Sequence, residues 1–236
     1  MELVEISRQL SKEVMQLSFG SPVSHVYNPL DYAGGNYCAY VESYGRPTKQ
    51  AVFLGMNPGP WGMVQTGIPF GDPAMVRDWL KMRQPINRPK KEHPKRPIYG
   101  IDCPRSEVSG TRFWGAMAEH FGNPEKFFER FFVANYCPLA FMEESGRNIT
   151  PDKLSAGERK KLFAICDKHL QQLVKYLRPA YVIGVGAFAE TQAKKALHGM
   201  DLTIGRILHP SPANPAANRQ WHVVARKQLH ALGICI

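Results

Sequence analysis

The chain has 236 residues, 44% of them hydrophobic and 21% charged, with 30 Lys+Arg against 20 Asp+Glu for a net charge of +10. That length and balance exclude a disordered tail or a disulfide-stapled mini-protein and predict an ordinary globular core. The positive excess points to a polyanionic partner, and no apolar run approaches the length of a membrane span.

The five cysteines, Cys38, Cys103, Cys137, Cys166 and Cys235, are odd in number and widely spaced. No C-x-x-C occurs, so the pattern fits reduced thiols better than a zinc or iron–sulfur framework. The histidines form no H-x-H or H-E-x-x-H pattern, so neither a metal nor another cofactor is expected. The first ten residues, MELVEISRQL, lack a basic n-region and an apolar h-region. No signal peptide is read there, and an intracellular location is expected, cytoplasmic in a bacterium or nuclear in a eukaryote.

In chain order, Leu3, Ile6, Leu10, Val14 and Leu17 recur at helical spacing and predict an amphipathic helix over 3–17. Residues 20–29 read as loop. Residues 31–44, rich in tyrosine and glycine, read as a surface segment. The apolar run 51–54 (AVFL) predicts a buried parallel strand. Behind it, 55–72 (GMNPGPWGMVQTGIPFGD) carries five glycines and three prolines. No helix or strand interior tolerates that density, so an ordered loop at the carboxyl end of a strand is expected. In open α/β sheets, ligands bind there.

Residues 73–83 predict a helix with proline in its first turn. Eight basic and two acidic residues then fall between Arg77 and Arg96, including Lys90 and Lys91. That run is either a solvated face or a phosphate-contacting surface. Further helices are predicted over 109–122, 155–177, 187–198 and 218–232. The second of these, 155–177, opens on a Ser155-x-x-Glu158 capping box. Strands are predicted over 131–136, 181–185 and 204–208. This alternation predicts an α/β fold in one domain, with a central four-stranded, mostly parallel sheet flanked by helices.

Asn57, Asn135 and His209 follow strand ends, so parallel strands would bring all three to one edge. The segment 184–189 (GVGAFA) matches a dinucleotide fingerprint, but on the third strand, where close helix–strand packing is the simpler reading.

The stretches 55–72 and 209–221 (HPSPANPAANRQW) closely resemble the two active-site motifs of the single-strand-selective monofunctional uracil-DNA glycosylases. The resemblance extends to 26–33 (VYNPLDYA), 92–115 (EHPKRPIYGIDCPRSEVSGTRFWG) and 134–142 (ANYCPLAFM). One departure is Ala213, where the family carries a basic residue. The resemblance implies a four-stranded parallel sheet and hydrolytic release of uracil and related bases, such as 5-hydroxymethyluracil, from single- and double-stranded DNA without strand cleavage. A monomer is expected. It implies that Asn57 holds the attacking water and that His209, aided by the backbone at Met56, stabilises the leaving base. Phe70 would stack on that base and Asn135 would read its edge. Gly59 would leave open the space beside C5 that a tyrosine fills in the best-known uracil glycosylases. Ser211, Pro212, Asn214, Pro215 and Arg219 would belong to the wedge that enters DNA. A non-catalytic single-strand-binding module and a nucleoside hydrolase are the competing readings.

Overall fold

The computed structural model describes residues 2–236. In chain order its regular elements are α1 (Leu3–Val14), β1 (His25–Tyr27), α2 (Pro29–Tyr32), α3 (Gly34–Tyr44), β2 (Ala51–Gly55), α4 (Met63–Thr66), α5 (Val108–Phe121), α6 (Pro124–Arg130), β3 (Phe131–Asn135), β4 (Ala140–Met142), β5 (Asn148–Ile149), α7 (Ala156–Leu177), β6 (Tyr181–Val185), α8 (Ala187–Ala196), β7 (Thr203–Ile207) and α9 (Trp221–Ala231).

Four strands form a wholly parallel sheet in the order β3-β2-β6-β7. All five residues of β2 are buried, and so are four of the five in β3 and in β6. Helices covering both faces explain why these strands read as continuous apolar runs. The chain leaves β2 for β3 on one side and returns to β6 on the other. The crevice at the carboxyl ends of β2 and β6 is therefore the topological switch point.

The four predicted strands lie in the central sheet, each within a residue or so of its predicted bounds. The capping box at Ser155 and Glu158 opens α7, and Arg178 closes it in a left-handed conformation. The glycine pair at 184 and 186 serves packing. A Cβ on Gly184 would stand 2.7 Å from the Glu190 Cα in α8, and Gly186 has φ +96° against the side chain of His209.

Three expectations fail. Residues 34–44 form helix α3, not a surface segment, and Tyr37, Tyr40 and Tyr44 are buried. Their spacing of three and four is helical, and the hydroxyls of Tyr40 and Tyr44 reach the Val133 and Leu80 carbonyls. The predicted helix over 73–83 is cut short to a π-helical turn, Met75–Trp79, and Lys81 then turns left-handed. Residues 20–29, expected as loop, contain β1, which joins a second, antiparallel sheet in the order β1-β4-β5 whose strands are too short to show an alternating pattern.

Gly184→Ala should therefore destabilise the protein by about 1–3 kcal/mol, because the new methyl overpacks the β6–α8 contact. Urea unfolding of the two proteins measures this.

Candidate active site

A cavity of about 370 Å³ opens at the carboxyl edge of the parallel sheet. Asn57, Asn135 and His209 all line it, together with Met56, Gly59, Phe70 and Ser211. Strand register brings the first two together: Gly55, the last residue of β2, pairs with Asn135, the last of β3. Gly55 has to be glycine. A Cβ there would overlap the Asn135 Oδ1 and stand 3.0 Å from the Phe70 ring.

The long loop after β2 is braced throughout, and it contains one helical turn, α4, that its composition did not suggest. The Tyr32 hydroxyl donates to the Val64 carbonyl, and the Asn36 amide donates to the Thr66 carbonyl at 2.7 Å. Gln65 donates to the Pro60 and Pro97 carbonyls and accepts from the Tyr99 N–H. At its end Phe70 takes φ +52°, a left-handed conformation rare for an aromatic residue. Its ring is stacked on Phe113 at 5.0 Å and lies 6.0 Å from the His209 ring. Strain of this kind collects at functional sites.

Asp72 fixes the loop to the start of α5. Its buried carboxylate accepts from the Met75 N–H, the Ser106 and Thr111 hydroxyls and the Glu107 N–H.

The polar groups have defined senses. The Asn57 amide nitrogen donates to the Leu139 carbonyl at 3.1 Å, which leaves Oδ1 as its free acceptor. The His209 Nδ1 accepts from the Ser211 N–H at 3.1 Å. A ring nitrogen that accepts carries no proton, so the neutral ring bears its proton on Nε2. Burial pushes the His209 pKa below its ordinary value, which favours that neutral form. The Asn135 amide nitrogen lies 3.2 Å from the Met63 sulfur, a weak acceptor. Among the described residues the Met56 N–H has no backbone partner.

Sequence reasoning passed over Glu107, which lines the same cavity. It caps α5 by accepting the Gly110 N–H. Burial raises its pKa to about 7, and the neighbouring Asp72 pushes the same way. The cap was legible, since a carboxylate stands three residues before Gly110. That it faces the pocket was not. Asn148 and Thr150, at the end of the small sheet, also reach the cavity, and the buried Asn148 Oδ1 has no partner. No lysine lines the cavity. The buried Lys49 sits at the opposite, amino end of β2, hydrogen-bonded to the Phe128 carbonyl.

The segment 209–221 is ordered from within. Arg112 on α5 donates to the Pro210 carbonyl and the Asn218 side chain, and Asn218 donates to the Pro212 carbonyl. Asn214 caps the short turn Pro215–Asn218. Pro212, Pro215 and Arg219 are exposed, and Ser211 points toward the cavity.

The basic run is less uniform than its composition. Arg77 and Arg83 face Asp78, and Arg88 faces Glu92. Lys91 donates to the Ser24 carbonyl, while Lys90 is exposed and unpaired among the described residues. Arg96 at the end of the run stacks on Trp61, and Arg105 covers the same ring, with guanidinium–centroid distances of 5.0 and 4.4 Å. Neither arginine is in a salt bridge among the described residues. The sequence had not singled out this pair on the site loop.

The parallel sheet thus places a braced loop, a histidine whose neutral form burial favours and an oriented asparagine around one cavity at its switch point. Residues 42–229 match the family model of the Uracil DNA glycosylase superfamily. The chain is 47% identical over 228 residues to the Bos taurus protein named single-strand selective monofunctional uracil DNA glycosylase, covering 96% of this chain and 84% of that one. It is 47% identical over 233 residues to the protein of the same name from Mus musculus, covering 98% and 84%. The crystal structure of SMUG2 from Pedobacter heparinus superposes with a TM-score of 0.68 at 19% identity, over 99% of this chain and 97% of that one, a likeness of fold. The chain belongs to the uracil DNA glycosylase superfamily, in the branch of its single-strand-selective monofunctional members.

Glu107 gives the site a pH signature. Its pKa is about 7 when folded, against an ordinary 4.5. A raised carboxyl pKa leaves stability intact below about 4.5 and removes it as pH rises through about 7. His209 and the buried His169, lowered to about 4, act in the opposite sense, losing stability as pH falls below 6.5. The Tm difference between Glu107→Gln and the parent should therefore move in favour of the variant between pH 4.5 and 7.5. Thermal scans across that range check it.

Proposed function

We propose that the protein is a monofunctional DNA glycosylase of base-excision repair that flips uracil out of DNA and hydrolyses its bond to deoxyribose. The observation that carries this reading is the convergence of His209, Asn57, Asn135 and Phe70 on one cavity. The relatives' names support it. A cavity of about 370 Å³ is ample for one pyrimidine, and a base inside a duplex is out of reach until it leaves the stack.

The Asn135 amide can accept from uracil N3–H and donate to O4, exchanging its weak contact with the Met63 sulfur for a proper acceptor. Cytosine presents the reverse pattern and would leave buried polar groups unpaired, which costs about 1–3 kcal/mol each. Phe70, backed by Phe113, offers a ring on which the base stacks.

As the bond from C1′ to N1 breaks, its electron pair stays on the base and charge gathers at O2. His209 Nε2–H donates to that oxygen, with the unengaged Met56 N–H beside it. A fixed neutral donor suits a developing anion in a water-poor pocket. Water held by Asn57 Oδ1 adds its oxygen to C1′, and its proton ends on the departing base. Asn57 is no base, but a sugar with cationic character needs only a positioned nucleophile. With no lysine on the cavity wall, an imine to the sugar has no donor, which supports release of the base without strand cleavage.

Single-stranded DNA presents its bases at the lowest unstacking cost. For duplex substrate, the braced segment from Ser211 to Arg219 fills the vacated space, with Pro212, Asn214 and Pro215 shaping its tip. The stacked guanidiniums of Arg96 and Arg105, with Lys90 and Lys91 further out, contact phosphates. The open wall at Gly59 supports acceptance of 5-hydroxymethyluracil as well as uracil. One chain supplies every wall of the cavity, which supports action as a monomer. A DNA substrate implies an intracellular protein, cytoplasmic in a bacterium and nuclear in a eukaryote. No described helix is long and apolar enough to cross a membrane.

Single-turnover assays on a uracil-containing oligonucleotide test the reading. The parent should release free uracil and leave the strand intact. His209→Ala and Asn57→Ala should each lower the rate at least about a hundredfold, equivalent to about 2.7 kcal/mol, with DNA affinity little changed. Parent-like rates in both variants would sink the assignment and favour a binding module.

Salt titrations of DNA binding test the electrostatic face. Arg105→Ala should reduce the log–log slope by ~0.7–0.9, the value of one phosphate contact. The Lys90→Ala, Lys91→Ala pair should reduce it by no more than that, since the Lys91 ammonium is engaged with Ser24. An unchanged slope for Arg105→Ala would remove the stacked pair from the interface.

A further inference from the structure

A second cavity, of about 340 Å³, opens at the amino end of the parallel sheet, opposite the candidate active site. The end of α3, the entry to β2 and helix α6 wall it, through Ser43, Arg46, Thr48, Lys49, Glu125 and Glu129. Lys49 is the unusual member. It is only 5% exposed, although lysine is rarely buried unless its charge is paired. It has no salt bridge among the described residues. One N–H goes to the Phe128 carbonyl, in the last turn of α6, where carbonyls lack partners within the helix. An ammonium carries three donors, so two remain unused.

The surroundings disfavour that ammonium. Burial, and then the charge of Arg46, lower the Lys49 pKa from an ordinary 10.5 to about 8. Glu125 and Glu129 are exposed on the cavity wall, and neither reaches salt-bridge distance of Lys49 or Arg46. Arg46 forms no salt bridge either, and the hydroxyls of Ser43 and Thr48 add further donors to the same wall. A buried amine that is easily made neutral, beside a free guanidinium, is suited to a small neutral electrophile that becomes an anion on addition.

We propose that Lys49 is a site of reversible carboxylation by carbon dioxide, the resulting carbamate being held by Arg46 with the hydroxyls of Ser43 and Thr48. The Nζ lone pair forms a bond to the carbon of CO2, one C–O π pair moves onto oxygen, and one amine proton leaves to water. Lys–NH2 and CO2 thus give Lys–NH–COO− and H+, with nothing oxidised or reduced. The product fits this cavity better than the ammonium does. A carbamate nitrogen keeps a single N–H, the one that the Phe128 carbonyl takes, so the two unused donors disappear. Its planar pair of oxygens suits a guanidinium. Carbon dioxide is uncharged and small, so Glu125 and Glu129 do not repel it on entry. The site is remote from the cavity at the carboxyl edge and does not depend on the glycosylase reading.

The experiment equilibrates the full chain with 13C-labelled bicarbonate near pH 7.5, traps carbamates as ethyl esters with triethyloxonium, and maps the adducts by peptide mass spectrometry. Mapping separates Lys49 from the α-amino group, which also reacts with CO2. The Lys49 adduct should exceed those at the exposed Lys90 and Lys126 at least about tenfold, since a pKa of about 8 leaves roughly a hundredfold more neutral amine at that pH. A Lys49 adduct no greater than theirs overturns the proposal. Arg46→Ala removes an exposed side chain and should lower the Lys49 adduct at least about fivefold, the scale of one hydrogen bond to a charged group. An unchanged adduct in that variant also overturns it. In 13C spectra of the parent, one carbamate resonance should vanish in Lys49→Arg, which keeps the positive charge. A spectrum identical to the parent's would place the carbamate elsewhere and refute the assignment. Should Lys49→Arg fail to fold, read by circular dichroism, the adduct map of the parent decides alone.

Discussion

The carboxylate of Asp72 is the constraint on which the site depends. It is buried, and it takes hydrogen bonds from both sides of a seam: Met75 beyond the glycine–proline loop, and Ser106, Glu107 and Thr111 at the start of α5. A buried carboxylate left without these donors would be costly, so the seam closes as a unit. Its closure sets the two residues nearest to it. Phe70 is held in a left-handed turn, with the Asp72 N–H bonded to its carbonyl at 2.8 Å. Glu107 is delivered to the cavity wall. Gly110 completes the seam, since a Cβ there would overlap the Phe70 carbonyl.

Around that seam the site is built from neutral groups whose direction is fixed in advance. The Asn57 amide is turned by the Leu139 carbonyl, and the His209 ring by the Ser211 N–H. In the proposed reaction neither would have to reorganise as charge develops on the leaving base. Burial favours the neutral form of His209, the form that would donate without surrendering a full proton in the proposed reaction. Two titratable groups in one cavity are thus shifted in opposite directions by the same cause, burial, because the charged form is the acid's base in Glu107 and the base's acid in His209.

The surface proposed to face DNA uses a different economy. Three of the eight basic residues in the run, Arg77, Arg83 and Arg88, are engaged in local ion pairs, and exposed pairs of that kind are screened and weak. The guanidiniums of Arg96 and Arg105 are pre-placed by stacking on Trp61; the Arg96 Nε–H is spent on the Gly146 carbonyl, and the Arg105 guanidinium has no hydrogen-bond partner among the described residues. Arg112 is spent differently, as an internal brace between Pro210 and Asn218.

The sequence by itself determined the parallel sheet, the two long motifs and the convergence of Asn57, Asn135 and His209. Apolar runs bounded by glycine and proline have few other solutions, and parallel strands point their ends one way. The helix over 34–44 was also legible in the spacing of Tyr37, Tyr40 and Tyr44, and was hidden only by the glycines at its start. The small antiparallel sheet was not legible, because strands of two or three residues carry no period. Only the tertiary structure decided which tautomer His209 adopts, which basic residues are free, and that Glu107 faces the cavity as well as capping α5. The His209 tautomer is set close by, by the Ser211 N–H, but the wall around Glu107 and the stacking of the arginines are set by neighbours remote in sequence: Gly59 lies 48 residues before Glu107, and Trp61 lies 35 before Arg96 and 44 before Arg105. A local pattern fixes the backbone's path, but the partner of a side chain is chosen by whatever the folded chain brings alongside it.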